Sequence, residues 1–424
     1  MTWLQTTIGQ VCLPTAQRDP TRGGEGTFRY VDIAGIDRES KSISRADLVP
    51  CADAPSRARK EIQRGDVLVS TVRPNLNAVA QVPDELDGAI ASTGFAVLRA
   101  NPKLVESRYL FYRVQQSEFV QFLSAQAKGA NYPAVTDGVV RSAQLPLPPI
   151  SEQRRLVELL DEADGLRRLR READAKAARI LPALFLKMFG DPATNPKGWP
   201  ARAIREIARV VGGATPRTDT PEYFDGGILW ATPKDLSTLD DFMIETTAKT
   251  LTPEGLASCS VTMLPERSVL FSSRAPIGLV AINVKPMCTN QGFKSLVPSR
   301  AVSEWYLFGW LSLRRSYIES LGRGATFAEV SKDIVEKLLV PVPDRSLQDS
   351  FSRRMEAVRA IRQDAKRSSG RITALWRDLL QRAFSGDLTV NWRKGHLKEL
   401  LAEMQQQAKV LKLSLPAAER LTEA

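Results

Sequence analysis

The sequence predicts a mixed α/β protein, α+β within each domain: two similar globular domains separated by two long helices forming an antiparallel coiled coil, with internal pseudo-two-fold symmetry. Three observations predict it. The chain repeats itself at a spacing of 195 residues, the front of each repeat alternates short β-type runs with Gly, Pro and Asn, and the rear of each repeat carries a long stretch of helical apolar spacing.

The repeat is read from ordered pairs. Gly129-Ala130-Asn131-Tyr132 matches Gly324-Ala325-Thr326-Phe327, Leu145-Pro146-Leu147-Pro148 matches Val340-Pro341-Val342-Pro343, and Ser151 and Gln153 match Ser346 and Gln348, all 195 apart. Phe189 and Phe384 keep the same offset. Upstream the offset widens, to 197 for Tyr109-Leu110-Phe111 against Tyr306-Leu307-Phe308, 198 for Gly94-Phe95 against Gly292-Phe293, and 202 for Pro74 against Pro276. The rear of the unit is therefore fixed in length while loops in the front vary.

The expected organisation is a first domain over 1–149, a first long helix over 150–190, a second domain over 191–343, a second long helix over 344–385, and a C-terminal helical extension over 386–424. In the domains, Asp66-Val67-Leu68-Val69-Ser70 and Ser268-Val269-Leu270-Phe271-Ser272 read as strands, and 107–122 and 303–321 each read as one helix. In the first long helix a 3-4 spacing selects Leu156, Leu159, Leu166 and Ile180 as seam residues; in the second it selects Phe351, Val358, Ile361, Ile372 and Leu375. A narrow apolar seam flanked by Arg154, Arg155, Arg167, Arg168 and Arg171 suits a helix pair, and about 38 residues make a rod of roughly 55 Å. Pro182 should kink or break the first helix near its end.

Composition narrows the function. Lys and Arg number 59 against 48 Asp and Glu, a formal charge of +11 that favours a polyanionic partner. One histidine, His396, excludes His-dependent triads and HExxH sites, and no GxxxxGK[ST] loop is present to cradle nucleotide phosphates. The adjacent prolines Pro148 and Pro149 sit in LPLPPI, so the adenine-methyltransferase element [DNS]PP[YFW] is absent too. Cys12, Cys51, Cys259 and Cys288 form no CxxC pair and suggest reduced thiols rather than a zinc site. No cofactor and no metal are expected. The first residues lack a secretory pattern and no run approaches 18 apolar residues, which predicts cytoplasmic residence and no membrane contact.

The residues also carry a family resemblance. LPLPPISEQRRLVELLD resembles the domain-to-helix junction of type I restriction-modification specificity subunits, and GGATPRTDTPEYFDGGILWATPKDL (212–236) is similar to the opening of their target-recognition domains. SSRAPIG (272–278), TNQGFKSL (289–296) and ALFLKMFGDPATNPKGWP (183–200) fit the same family, so the resemblance covers most of 1–385. The first copy keeps little of the 212–236 pattern, and residues 386–424 are extra.

The resemblance implies a non-catalytic subunit with two target-recognition domains, each reading one half of a bipartite, asymmetric double-stranded DNA site. It further implies helices that set the spacer and dock two methyltransferase subunits, with restriction subunits joining the full complex. The assembly would be an S-adenosylmethionine-dependent adenine methyltransferase and, with its restriction subunit, an ATP-dependent endonuclease. Repeating the unit in one chain explains how two identical partners can bind symmetrically while two different domains read different sequences.

Candidate DNA contacts are Thr71, Arg73, Asn75, Lys128 and Asn131 in the first copy, and Thr215, Arg217, Thr218, Lys234, Ser273, Arg274, Arg323 and Thr326 in the second. Hydroxyl, amide and basic groups on Gly/Pro-rich segments after strands are the types that meet phosphates and base edges. Each also reads as an ordinary surface loop, and Tyr132 as a ring packing against the helix base. Two rival functions stay open: a fused or degenerate methyltransferase or nuclease, and a structural adaptor that does not read sequence.

Overall fold

The computed structural model describes residues 2–22, 26–322 and 328–416. It divides into two compact units, one of residues 1–170 with 370–424 and one of residues 171–369. The division cuts through both long helices.

The two units are built to one plan. In the first, Leu4–Thr7 pairs antiparallel with Gln144–Leu147; in the second, Ala201–Ala203 pairs antiparallel with Leu339–Pro341. The central antiparallel ladder of the first unit sets Phe95–Ala100 between Val67–Ser70 and Cys12–Leu13; its counterpart sets Lys294–Pro298 between Val269–Phe271 and Ala208–Gly212. A second sheet in each holds a parallel pair, Thr27–Val31 with Ile90–Ser92 and Phe224–Ala231 with Cys288–Thr289. The strands are Val-, Ile-, Leu- and Phe-rich and buried on both faces where helices cover them, as Val67, Leu68, Val69 and Val269, Leu270, Phe271 show.

The repeated sequence pairs have repeated physical roles. Gln153 donates from Nε2 to the carbonyls of Pro148 (2.8 Å) and Leu104 (3.0 Å) while its Oε1 accepts from the Glu106 amide. Gln348 does the same to Pro343 (2.8 Å) and Ala301 (3.2 Å), accepting from the Ser303 amide. Both glutamines are fully buried, so an apolar replacement of Gln348 would strand three backbone groups, whereas in the first unit Gln407 also donates to the Leu104 and Pro148 carbonyls and the loss of Gln153 would fall on the Glu106 amide. Tyr109 and Tyr306 likewise donate to the carbonyls of Pro146 and Pro341. The glutamine bonds fasten each strand end to the long helix that follows it, and the tyrosine bonds fasten it to the helix that precedes it.

Each helix expected over 107–122 and 303–321 is two helices instead: Ser107–Arg113 and Ser117–Gln126, then Glu304–Leu313 and Arg315–Ser320. Gln116 turns to extended backbone and Arg314 leaves helical geometry, so one apolar pattern spans two axes.

The first long helix runs Ile150–Ala178 and restarts as Ile180–Phe189. The break falls at Arg179 and places Pro182 in the first turn of the second piece, where a missing amide hydrogen costs nothing. The second long helix runs unbroken from Arg345 to Ser385. Inside the first unit Glu152 meets Thr389 and Arg167 meets Trp376; inside the second, Met188 meets Arg354 and Phe189 meets Phe351. Within each unit the helices thus run antiparallel.

The phase of the seam differs from the expected one. Leu156 and Phe351 are buried and Leu159, Val358 and Ile372 half-buried, but Leu166 is 65%, Ile361 67%, Leu375 62% and Ile180 39% exposed. The packed face instead follows Leu156, Leu160, Asp164 and Arg167 on the first helix and Phe351, Met355, Trp376 and Leu380 on the second. Leu159 and Leu160 are adjacent, and the core takes the second of them. One residue of slip turns a helix by 100°, which carries Leu166 and Ile361 to solvent and brings polar Asp164 and Arg167 inward.

Residues 386–416 continue past the second helix as Val390–Gly395 and Leu397–Leu411. Leu400, Met404 and Ala408 are buried on the first unit. Glu403 accepts from the amide and hydroxyl of Ser151, capping the first long helix, and Gln407 donates to Leu104 and Pro148. Arg393 pairs at 2.8 Å with Glu152, a carboxylate with no solvent exposure that also accepts from Trp3 and Thr389.

Candidate nucleic-acid interface

In the first unit three segments meet at one end of the central ladder. Strand Val67–Ser70 leads into Thr71, whose amide and hydroxyl both donate to Gly94 O (2.9 Å each). Thr71 O then accepts from Val135, and Val72 bridges Ala134. Thr71 is therefore buried and structural, not a surface contact as its residue type suggested. Beyond it Arg73 and Asn77 take left-handed backbone on either side of the short turn Pro74–Leu76, which leaves Arg73 and Asn75 exposed.

Lys128 and Asn131 lie on the facing loop. Reciprocal bonds between Lys128 and Ala134 (3.0 and 2.9 Å) close that loop, and the Arg73 amide donates to Pro133 O at 2.7 Å. The Arg73 guanidinium reaches Asn131 O and stands 4.8 Å from the centre of the Tyr132 ring. Arg73, Asn75, Lys128 and Asn131 thus form one exposed cluster. The sequence leaves open whether this turn positions phosphate or packs the Tyr132 ring against the helix base; the ring is 69% exposed.

The second unit repeats the junction. Ser273 donates from its amide and hydroxyl to Gly292 O (2.8 and 3.2 Å) and accepts from Val330, and is buried like Thr71. Arg274 bridges Glu329 as Val72 bridges Ala134. Arg274 therefore occupies the position of Val72, and Arg73 has no arginine counterpart. The Arg274 guanidinium is 2.9 Å from Glu329, with Lys294 at 3.2 Å on the same carboxylate. Burial would raise the Glu329 carboxyl; hydrogen bonds from Arg274 and Lys294 outweigh it and hold it below its usual range. Arg323 and Thr326 lie outside the described residues.

The turn around Asn290 collects the remaining candidates. Ala214 donates to Thr289 O, Asn290 donates to Ala231 O, and Gly213 donates to Phe293 O, so 213–218 and 231–235 flank it. A Cβ on Gly213 would fall 2.0 Å from Asn290 O, which is why only glycine fits there. Arg217 and Thr218 are exposed, Arg217 pairing with Asp219 at 3.2 Å; Lys234 is exposed on a short helix capped by Thr232 and Asp235. Thr215 Oγ1 is enclosed without a partner. Gln291 is exposed at the tip of this turn, with Thr93 at the same place before Gly94. Sequence reading passed over both, although each precedes the repeated Gly-Phe pair.

Among the described residues no group of three His, Cys, Asp or Glu is placed to hold a metal, and no helix is long and apolar enough to cross a membrane. Burial raises the Cys12 thiol to about 12 and the Cys288 thiol to about 11, which keeps both protonated and unreactive at neutral pH.

Two stretches of the chain, 57–175 and 196–367, match the family model for the type I restriction modification DNA specificity domain. The chain belongs to that family. Among curated relatives it is 34% identical over 159 residues to the type I restriction enzyme MjaIX specificity subunit of Methanocaldococcus jannaschii, a match spanning 37% of each protein. It is 21% identical over 413 residues to the HindI specificity subunit of Haemophilus influenzae, covering 79% of this chain and 89% of that one. A solved chain from work on complex assembly and conformational transition of the type I restriction-modification system superposes with a TM-score of 0.61 at 28% identity, covering 91% of this chain and 98% of its own. A type I S subunit from M. genitalium, at 13% identity and a TM-score of 0.51, shares the fold. The family consists of specificity subunits, in general non-catalytic, and the loop clusters around Gly94 and Gly292 are its candidate DNA-reading surfaces.

Proposed function

We propose that this chain directs a type I restriction-modification complex in the cytoplasm to a bipartite DNA site, each unit reading one half. The observation that carries the reading is the duplicated junction: in both units a loop after a central strand, a Gly-Phe turn and the loop before the last short helix are bonded together at one ladder end. Exposed Arg73, Asn75, Lys128 and Asn131 in one copy, and Arg217, Thr218, Lys234 and Arg274 in the other, supply donors for phosphates and base edges. Arg323 and Thr326 belong to the same proposal by sequence position.

The long helices fix the spacing between half-sites and dock two methyltransferase subunits, with restriction subunits completing the assembly. The apolar side chains Leu166, Leu169, Ile361 and Leu375, each more than 60% exposed, support helix faces that are covered in a complex. Catalysis resides in the partners: the purified chain neither methylates nor cleaves DNA, and addition of its cognate methyltransferase subunit gives adenine methylation at one bipartite site. The test is methylation mapping in cells carrying both subunits, repeated after residues 200–340 are exchanged for a relative's. The exchange changes one half of the target and leaves the other. Methyl transfer by the chain alone, or both halves changing together, contradicts the proposal.

A further inference from the structure

We propose that Tyr132, braced by Arg73, stacks on the DNA of the half-site read by the first unit; the inference rests on the function proposed above. Tyr132 is the most exposed of the large apolar side chains among the described residues, at 69%. A large aromatic ring gains most by burial, so one held in solvent gains nothing in the free protein. Nor is the ring there for want of a fixed backbone. Reciprocal Lys128–Ala134 bonds close the loop, the Arg73 amide ties Pro133 to the neighbouring turn, and Gly129 takes a φ of +107°. A Cβ on Gly129 would stand 3.0 Å from the Tyr132 carbonyl oxygen, so this glycine permits the tight approach that presents the ring.

One face of the ring lies against the Arg73 guanidinium, and no second ring or cation lies against it among the described residues. A planar cation on one face and an open opposite face make a plate that a base or sugar can complete. The surrounding exposed groups choose the partner. Arg73, Asn75, Lys128 and Asn131 are cations and amides with no carboxylate among them, which suits phosphate and base edges better than a protein surface rich in both signs. At the corresponding bridge of the second unit, Glu329 stands where the first unit has Ala134, and Arg274 is drawn onto that carboxylate. Arg73 meets no such carboxylate among the described residues, which leaves its guanidinium over the ring.

The experiment uses the complex assembled with the cognate methyltransferase subunit and duplexes carrying the mapped target, or the target with its first half scrambled. A 2-aminopurine placed in the first half-site reports stacking. Tyr132→Ala should lose about ten- to a hundredfold in affinity for the intact target and abolish the fluorescence change on binding. Tyr132→Phe should retain both, since the ring and not the hydroxyl makes the contact. On the scrambled duplex Tyr132→Ala and the unaltered chain should bind alike, and thermal melting should be unchanged. Affinity and fluorescence of Tyr132→Ala equal to the unaltered complex would overturn the inference, as would failure of Tyr132→Ala to assemble with the methyltransferase subunit, which would mark the ring as a protein contact. Indifference of the unaltered complex to scrambling either half would instead sink the functional reading on which the inference stands.

Discussion

The two units place the same backbone junction beside different charges. Where the second unit sets Asp240, Asp241 and Glu245 against Arg359, Arg362 and Lys366 of its long helix, the first unit sets Arg38 and Lys41 near Arg167, the residue 195 positions before Arg362. The contrast recurs at the proposed reading end, where Arg274 is held by Glu329 while Arg73 lies over Tyr132. Duplication preserves what the backbone requires, such as Gln153 and Gln348, and leaves the exposed charges free to diverge. A protein that must present two different surfaces to one kind of polymer needs that division.

The largest effects should test whether each unit has its own core. Trp376 packs edge-on to Tyr112 and under Arg167 in the first unit, and Phe351 against Phe185 and Phe189 in the second. Trp376→Ala and Phe351→Ala should each cost about 3–5 kcal/mol, with hydrogen-exchange protection lost chiefly in the unit that contains the change. Leu166→Asp and Ile361→Asp, at exposed positions, should stay within about 0.5 kcal/mol in denaturant melts of the isolated chain. A large loss from the two Asp variants would restore the seam as the sequence suggested it.

A smaller effect separates the units by their helix starts. Arg393→Ala strands the buried Glu152 carboxylate and should cost about 3 kcal/mol, moderated by the bonds Glu152 keeps with Trp3 and Thr389. The second unit has Leu347 at the matching place and no such charge to strand. Replacing Glu152 by Leu together with Arg393→Leu should recover most of the loss; no recovery would mean that Arg393 acts by packing on Trp3, 5.1 Å away, rather than by charge.

The contrast at the proposed reading end is sharpened by binding. In the assembled complex Arg73→Ala should cost about 1–3 kcal/mol at the first half-site, and Arg274→Ala less at the second, because Glu329 already engages its guanidinium. Glu329→Ala should free Arg274 and Lys294 and steepen the salt dependence of binding. Equal losses from the two arginine variants would show that the neutralisation by Glu329 is lifted on binding.

The smallest effect concerns Lys41. Burial, then Arg167 and Arg38, bring its ammonium from 10.5 down to about 8, while its Nζ donates to Asn77 O at 2.6 Å. A lowered lysine value means that the folded chain holds fewer protons than the unfolded one between about pH 8 and 10.5, so stability rises with pH across that window. Below pH 8 the penalty is fully present. Lys41→Met should therefore stabilise at pH 7 by on the order of 1 kcal/mol after solvent screening, with the gain vanishing by about pH 10.5. A pH-independent effect would assign the change to packing alone.

How far the sequence carried can be judged at single residues. The duplication was legible because Gln153, Gln348, Tyr109 and Tyr306 bond to backbone that has to be satisfied in both copies. Helix phase was not, because Leu159 and Leu160 offer two equally apolar faces and only the three-dimensional core selects between them. Arg274 and Arg73 both stand just before a repeated proline, but the 202-residue offset of Pro74 and Pro276 already sets Arg274 against Val72, and the bridges Val72–Ala134 and Arg274–Glu329 agree with that spacing. The exposure of Tyr132 depends on the closed loop around it, which no local pattern announces.

The C-terminal extension bears on the order in which the chain can fold. The hydrophobic cluster of the first unit joins Trp3, Leu4 and Leu156 to Trp376, Leu380, Phe384, Met404 and Ala408, whereas the cluster of the second lies wholly between Leu181 and Val358. During synthesis the second unit holds all of its core as soon as residue 369 has left the ribosome. The first unit, made earlier, must wait with an apolar face uncovered until residue 408 emerges, and the closure joins ends of the chain some 400 positions apart. A stalled or nicked product lacking the last turns would thus display its defect on the half of the molecule made first, where proteases and chaperones can act before any partner subunit or DNA is engaged.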